Sequence, residues 1–324
     1  MIKGPALVPD ENGYPRYQPN AEWIDETPEY RAHYRIDTNG FRINHQAAKQ
    51  STPMTGSGPR ILFLGDSFTF GEGNDYEDTY VARLEDPLRN TVAGIEVING
   101  GVQSYDQLLE YRLLEEILAS TELDYVVVCF LPNDVLTNRP LNEEFNLTQR
   151  KNLVRSRSFK LKWQTLKWLK AFLLRSDPFY VQAYERSGRA SFYSKQDPES
   201  VHEKLRVTKE LFQALHQLCQ EKQVELIVAS IPQRYQVLKR PDDDFDPSTL
   251  DRLLGEVARR NGYHWIETLT ALRTAQMPPG ESTHYRVDGH LTPLGNKIVA
   301  DALAAPISEI IRENETIEGT SEKD

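Results

Sequence analysis

From residue 60 onward, short apolar runs alternate with longer segments that have helical periodicity. Between the apolar runs, leucine, valine and alanine recur every three or four residues, as on the buried face of a helix. Such alternation predicts a parallel sheet with helices on both faces, joined by right-handed crossovers. We therefore expect an α/β fold of three layers, α/β/α. Its five predicted strands are "RILFLG", "IEVING", "YVVVCFL", "VELIVASI" and "YHWIET".

Three segments fall outside this alternation. Residues 1–58 are rich in Pro, Asn and Gly and are predicted to be an N-terminal extension, with a hairpin at Asn39-Gly40 in "YRIDTNGFRIN". Residues 59–312 form the predicted domain, and they include an insertion at 138–200 that is longer than a crossover needs. Residues 313–324 are predicted to be a disordered tail.

The insertion contains a basic segment at 150–175, with nine basic residues and no acidic one. Phe159, Trp163, Leu166 and Leu173 fall close to one helical face, and most lysines lie elsewhere. Three interpretations are open. The segment is a helix that packs on the sheet, a lid or acceptor-binding surface near the site, or a helix that contacts a membrane surface or another anionic partner.

Charge and composition limit the partners and the compartment. The net charge of −10 argues against nucleic acid as a general partner. No apolar run reaches the roughly 18 residues of a membrane-spanning helix, and the start "MIKGPALVPDENGYP" has no apolar core of a secretion signal. A chain complete as printed is therefore expected in the cytoplasm, and one shortened at its start is expected to be exported or membrane-tethered. The sequence does not indicate an oligomeric state.

The stretch "GDSFTFGEG" directly follows the first predicted strand. Asp66 and Ser67 are both residue types that begin helices, so the plain interpretation is a strand, a tight turn at Gly65 and a capped helix. The functional interpretation places the Ser67 hydroxyl at the carboxyl end of a strand, where open α/β sheets have their sites. "GDSFT" is not a G-x-S-x-G nucleophile elbow, and "GEG" lacks the lysine of a phosphate loop.

A serine nucleophile needs a base, and among the seven histidines His290 is the best candidate for that role. In "YRVDGHLTPLGN" it follows Asp288 by two residues, and in extended chain such residues point to the same side. A solvated loop with an ordinary aspartate and histidine is the alternative. Two further strand ends carry donors for an oxyanion: the backbone at Gly100 and Gly101 in "VINGGVQ" and the side-chain amide of Asn133 in "FLPNDV".

The stretches "GDSFTFGEG", "NGG", "PND" and "DGHLTPLG", in this order, resemble the blocks of the SGNH hydrolases, also called GDSL-type lipases and esterases. The resemblance covers about 60–136 and 222–304 and implies a flavodoxin-like topology. It implies Ser67 as nucleophile, His290 as base and Asp288 as the residue that orients the base, with Asp66 in support. The N–H groups of Ser67 and Gly101 and the side chain of Asn133 would form the oxyanion hole.

The implied activity is serine ester hydrolysis that releases a short acyl group from an O-acylated carbohydrate or related small molecule. Neither a cofactor nor a metal is implied, and the acidic loop "PDDDFDPSTLD" lacks the pattern of a calcium site. Leu131 and Ser104 replace glycines that the family often has. The one-residue gap between Asp288 and His290 is similar to alginate-type O-acetyltransferases, so acyl transfer to a glycan hydroxyl is the first alternative. A non-catalytic binding module is the second.

Overall fold

The computed structural model describes residues 7–45, 58–142, 172–193, 195, 198–238 and 244–321. Ten strands lie in these ranges. Two form a small antiparallel sheet and eight form a large sheet in the order β10-β9-β8-β6-β7-β5-β4-β3. The strands are β1 (Leu7–Pro9), β2 (Pro15–Tyr17), β3 (Glu22–Glu26), β4 (Arg31–Ile36), β5 (Arg42–Ile43), β6 (Arg60–Gly65), β7 (Glu96–Gly101), β8 (Tyr125–Phe130), β9 (Glu225–Ser230) and β10 (His264–Glu267).

The five predicted strands correspond to β6 to β10, and they pair in parallel. Numbered along the chain, they lie in the spatial order 2-1-3-4-5, which is the flavodoxin-like order. Both the α/β class and this topology are therefore confirmed. The order places the carboxyl ends of β6, β7, β8 and β9 side by side at one edge of the sheet.

Helices cover both faces of the sheet. The described helices are α1 (Ser67–Phe70), α2 (Tyr80–Thr91), α3 (Gln107–Leu118), α4 (Asp177–Arg186), α5 (Pro198–Lys204), α6 (Arg206–Glu221), α7 (Arg234–Val237), α8 (Thr249–Asn261), α9 (Leu269–Thr274) and α10 (Pro293–Ser321). Successive residues of β6 point to opposite faces, as the period of two in a strand requires. Leu62 and Leu64 join the core under α3 and α6, whereas Ile61 and Phe63 join the core under α2 and α10.

The N-terminal extension belongs to the same sheet, so the predicted count of five strands is too low. Strands β3, β4 and β5 pair antiparallel, and β5 continues the sheet beside β7 through Arg42 and Asn99. The turn at Asn39-Gly40 joins β4 to β5, and Gly40 has the positive φ of 89° that this turn needs. These strands are short and contain many polar residues, and for this reason their composition resembles that of a loop.

The insertion at 138–200 contributes α4 and the start of α5 to the described residues, whereas most of the basic segment 150–175 lies outside them. At the other end, α10 runs to Ser321, so the expectation of a disordered tail from residue 313 is wrong for most of its length. Extending a formed helix needs no new nucleation, and polar residues add to it at little cost. None of the helices in the described ranges combines the length and apolar character of a membrane span.

Candidate active site

Ser67 is the first residue of α1 and is separated from the end of β6 only by Asp66. The Asp66 side chain accepts a hydrogen bond from the Phe68 N–H at 2.8 Å and caps this short helix. Gly65 is required where the chain turns, because a Cβ atom there would lie 2.0 Å from Thr69 Oγ1. The strand end therefore holds the Ser67 side chain at the edge of the sheet.

The structure brings Ser67, His290 and Asp288 together, although His290 lies 223 positions beyond Ser67 in the sequence. His290 Nε2 lies 2.7 Å from Ser67 Oγ, and His290 Nδ1 lies 2.5 Å from Asp288 Oδ1. Gly289 between them has a φ of 96°, a left-handed conformation that glycine adopts without strain. The imidazole of His290 thus contacts a carboxylate through Nδ1 and a hydroxyl through Nε2.

Charges around His290 favour its protonated form. Burial lowers the pKa of His290, but the hydrogen bond with Asp288 and the negative charges of Glu72 and Asp288 outweigh burial, so its pKa is raised. Burial raises the pKa of Asp288, but the hydrogen bond with His290 and the charge of His290 outweigh burial. The pKa of Asp288 is therefore below its ordinary value. A histidine in this setting is stabilised when it takes a proton from a nucleophile.

Glu72 is a fourth polar group at the site. Its Oε2 lies 3.6 Å from His290 Nε2 and accepts a hydrogen bond from Gln103 Nε2 at 2.8 Å. The Glu72 N–H donates to the Ser67 carbonyl at 2.9 Å, so the turn after α1 sets the position of this side chain. Burial raises the pKa of Glu72, and the charge of His290 opposes that shift. Glu72, Asp288 and His290 are also close enough to share a cation, since their ligand atoms lie within 4.8 Å of one another.

Two groups at the site can donate to a developing oxyanion. The N–H of Ser67 is at the first position of a helix, where no intrahelical acceptor exists. The Asn133 side chain follows β8, and its Oδ1 accepts a hydrogen bond from Gln233 Nε2 at 2.7 Å. Because Oδ1 is occupied, the Nδ2 of Asn133 faces the other way, where its contact with Asp134 Oδ1 is long at 3.4 Å.

The Gly101 N–H, by contrast, is engaged within the fold. It donates to Asn99 Oδ1 at 3.0 Å, and Asn99 Nδ2 donates to the Thr69 carbonyl at 2.9 Å. A Cβ atom at position 101 would lie 2.2 Å from the Phe70 nitrogen, so glycine here allows β7 to approach α1. The geometry therefore disagrees with Gly101 as a donor to a ligand. Three residues on, Ser104 is exposed with a φ of 65°, and within the described residues its N–H has no acceptor.

Asp66 belongs to a group of buried carboxyls beneath the site. Burial raises the pKa of Asp66, while the Phe68 N–H, the charge of His290 and the side chains of Asn133 and Ser67 lower it. Asp134 is also fully buried, which raises its pKa, and its Oδ2 accepts hydrogen bonds from the Leu131 N–H and Gln107 Nε2. Asp66 thus supports the site through the α1 cap and its contact with Asn133.

The N-terminal extension holds both loops of the site. The Glu29 carboxylate accepts hydrogen bonds from the Val287 N–H at 3.0 Å and the Asp288 N–H at 2.8 Å. The buried Arg42 guanidinium donates to the carbonyls of Phe70, Gly71 and Asn74 in the turn that carries Glu72. Sequence patterns did not indicate these two roles, because each partner is remote along the chain.

Comparisons with known proteins find solved structures of distant similarity. An acetylxylan esterase from Geobacillus stearothermophilus is 18% identical with a TM-score of 0.43, and the match covers 76% of this chain and 93% of that chain. The esterase EstA from Pseudoalteromonas is 14% identical with a TM-score of 0.45, over 78% of this chain and 98% of that chain. A protein assigned to the G-D-S-L lipolytic family, from Desulfitobacterium hafniense, is 13% identical with a TM-score of 0.43, over 76% and 98%. No family model and no curated protein matches the chain.

Proposed function

We propose that the chain is a serine ester hydrolase of the SGNH type, which removes a short acyl group, such as acetyl, from a hydroxyl of a carbohydrate or related small molecule. One observation carries the proposal: the continuous hydrogen-bond chain from Asp288 through His290 to Ser67 Oγ, with distances of 2.5 and 2.7 Å. A serine in contact with a histidine that a carboxylate orients is the arrangement of an activated nucleophile. The substrate class comes from the family resemblance of the four sequence blocks.

In the proposed reaction, Ser67 Oγ attacks the ester carbonyl carbon while His290 Nε2 takes the hydroxyl proton. The Ser67 N–H and Asn133 Nδ2 stabilise the negative oxygen of the tetrahedral intermediate. The C–O bond to the alcohol then breaks, His290 returns the proton to the leaving oxygen, and an acyl-serine remains. Water attacks this ester with His290 as base again, releasing the carboxylic acid and restoring Ser67. The steps use groups of this chain and water alone.

The first test labels the nucleophile. A serine-reactive phosphonate probe should modify Ser67, identified by peptide mass spectrometry, and Ser67→Ala should lower turnover of p-nitrophenyl acetate by several orders of magnitude. Ser120→Ala, at an exposed position after α3, is the matched control and should behave as wild type. Full activity in Ser67→Ala, or labelling elsewhere, would refute the assignment. Absence of both turnover and labelling in the wild type would instead favour the non-catalytic binding module.

The second test concerns the oxyanion donor. Asn133→Ala should lower kcat with little change in KM, because the donor acts on charge that exists only in the transition state. The expected loss is ~2.7–4 kcal/mol of transition-state stabilisation. An unchanged kcat with a raised KM would make Asn133 a substrate contact instead.

The third test separates hydrolysis from acyl transfer. A transferase must hold an acceptor hydroxyl near His290 and keep water out, whereas a hydrolase needs only a path for water. With an acetyl donor and candidate oligosaccharides, mass spectrometry compares free acetate with acetylated sugar. We expect acetate to dominate, and acetylated sugar as the main product at millimolar acceptor would reverse this choice.

A further inference from the structure

We propose that Gln233 is a positioning residue that determines which end of the Asn133 amide faces the reacting oxygen. This inference rests on the proposed function, because it concerns Asn133 as an oxyanion donor. Gln233 directly follows Pro232 at the end of β9, the strand next to β8, which carries Asn133. It is part-buried at the sheet edge where Ser67 lies.

A chain of hydrogen bonds runs through Gln233. Its Nε2 donates to Asn133 Oδ1 at 2.7 Å, and its Oε1 accepts from the Tyr184 hydroxyl at 2.6 Å. On the far side of Asn133, Nδ2 faces the carboxyl oxygens of Asp134 and Asp66. Both amides therefore point the same way: each oxygen lies on the Tyr184 side of this hydrogen-bond chain, and each nitrogen lies on the side of Asp66, which also contacts Ser67.

This direction matters because an amide has two ends of nearly equal shape and opposite hydrogen-bonding character. Rotated by half a turn, Asn133 would present a carbonyl oxygen to the tetrahedral intermediate and repel its negative charge. The Gln233 amide NH₂ opposes that rotation, since it is a donor and would then face the Asn133 NH₂. A donor held in the correct direction before reaction needs no reorganisation in the transition state.

The surroundings fix Gln233 in turn. The buried imidazole of His284 lies 3.1 Å from the carbonyl of the preceding Pro232, and burial lowers the pKa of His284 to about 3, so it contacts that carbonyl as a neutral donor. Tyr184 is buried, with its ring stacked on Tyr235 at a centroid distance of 4.0 Å. Because Tyr184 lies in α4, the insertion at 138–200 contacts the site through this hydroxyl.

The decisive variant is Gln233→Glu, which keeps the side-chain shape and replaces the donor by an acceptor. The Asn133 amide must then turn its NH₂ toward position 233 and away from the intermediate. We expect kcat to fall about 10²- to 10³-fold with KM nearly unchanged, the loss seen when an oxyanion donor is removed. Gln220→Glu, an exposed glutamine on α6, adds the same charge and should have wild-type kinetics.

A double-mutant cycle tests whether Gln233 acts through Asn133. In an Asn133→Ala background, Gln233→Glu should cause no further loss, because the amide that it turns is gone. Gln233→Met, which can neither donate nor strongly accept, provides a second variant if the charged one does not fold. It should lower kcat by roughly tenfold, and only when Asn133 is present.

Two outcomes would overturn the inference: a folded Gln233→Glu enzyme that keeps more than a third of the wild-type kcat, or losses that multiply in the double mutant. Both are distinct from failure of the proposed function. That failure would appear in the wild type, as ester turnover that is absent or independent of Ser67, before any position 233 variant is measured.

Discussion

Replacing Glu29 by Ala should impair catalysis although Glu29 belongs to the N-terminal extension. The Glu29 carboxylate is the acceptor for the Val287 and Asp288 N–H groups, which lie directly before Gly289 and His290. Tyr30 adds a weaker contact, with its hydroxyl 3.5 Å from Asp288 Oδ2. Without the carboxylate, the loop loses the anchor that holds Asp288 against His290.

The magnitude follows from the two hydrogen bonds. A hydrogen bond to a charged group contributes about 1.5–3 kcal/mol. The Asp288 N–H lies in an exposed contact, so water replaces most of that bond, whereas the Val287 contact is part-buried. The net loss is therefore that of one hydrogen bond, the one from the Val287 N–H. Because 1.4 kcal/mol corresponds to a factor of ten, we expect a loss of about 10- to 100-fold in kcat/KM.

The assay is steady-state hydrolysis of p-nitrophenyl acetate by wild type, Glu29→Ala and Glu26→Ala. Glu26 is an exposed glutamate at the end of β3, so its replacement tests the removal of charge without loss of the anchor. Urea unfolding of the same proteins separates a loosened loop from global destabilisation. If Glu29→Ala keeps kcat/KM within twofold of wild type, the carboxylate does not position the loop.

Three further predictions concern other groups around the site. Glu72→Gln removes a negative charge 3.6 Å from His290 Nε2, so the raised pKa of His290 should fall. The acidic limb of the kcat/KM profile, where His290 is protonated, should then move to lower pH, and a limb that stays in place would contradict this. Arg42→Ala leaves three buried carbonyls without this donor, and each unpaired carbonyl costs about 1–3 kcal/mol of stability. The free energy of unfolding in urea should therefore fall by ~3 kcal/mol or more, and a loss below about 1 kcal/mol would refute this prediction. Charge reversal at Lys160, Lys167 and Lys170 in the basic segment 150–175 should change KM or its salt dependence. Kinetics that match wild type at all salt concentrations would indicate a helix that only packs on the sheet.

The part of the fold that local patterns determine could be predicted from the sequence. Strands β6 to β9 are largely buried runs, whereas β10 at the edge of the sheet is partly exposed; the bounds of all five agree with the predicted runs to within about one residue at each end. The helices between them carry apolar residues at a spacing that burial on one face imposes. The extension was harder to predict, because β3 to β5 become strands only by pairing with a sheet that is already there.

The candidate site likewise contains residues that could be predicted from the sequence and residues that could not. Ser67, Asn133 and the Asp288–His290 pair stand at the ends of elements that the sequence indicates. Hydrogen bonds join Ser67, His290 and Asp288, and Asn133 and Ser67 both contact Asp66. Gly101 was assigned from its position alone, whereas its backbone N–H is taken by an asparagine two residues away. Gln233 also follows a buried strand and could have been included by that rule. Glu29 could not, since its partners lie 258 and 259 residues away.

The three strands of the extension have a further consequence, for aggregation. Without them the sheet would end at β7, a six-residue strand whose backbone would be open to pairing with another chain. In the described part of the chain the sheet instead ends at β3, a strand of five residues with the sequence "EWIDE" and three carboxylates. Negative charge on a short edge strand opposes the addition of a second molecule. The segment that anchors the loop of Asp288 and His290 therefore also protects the sheet from intermolecular β-pairing.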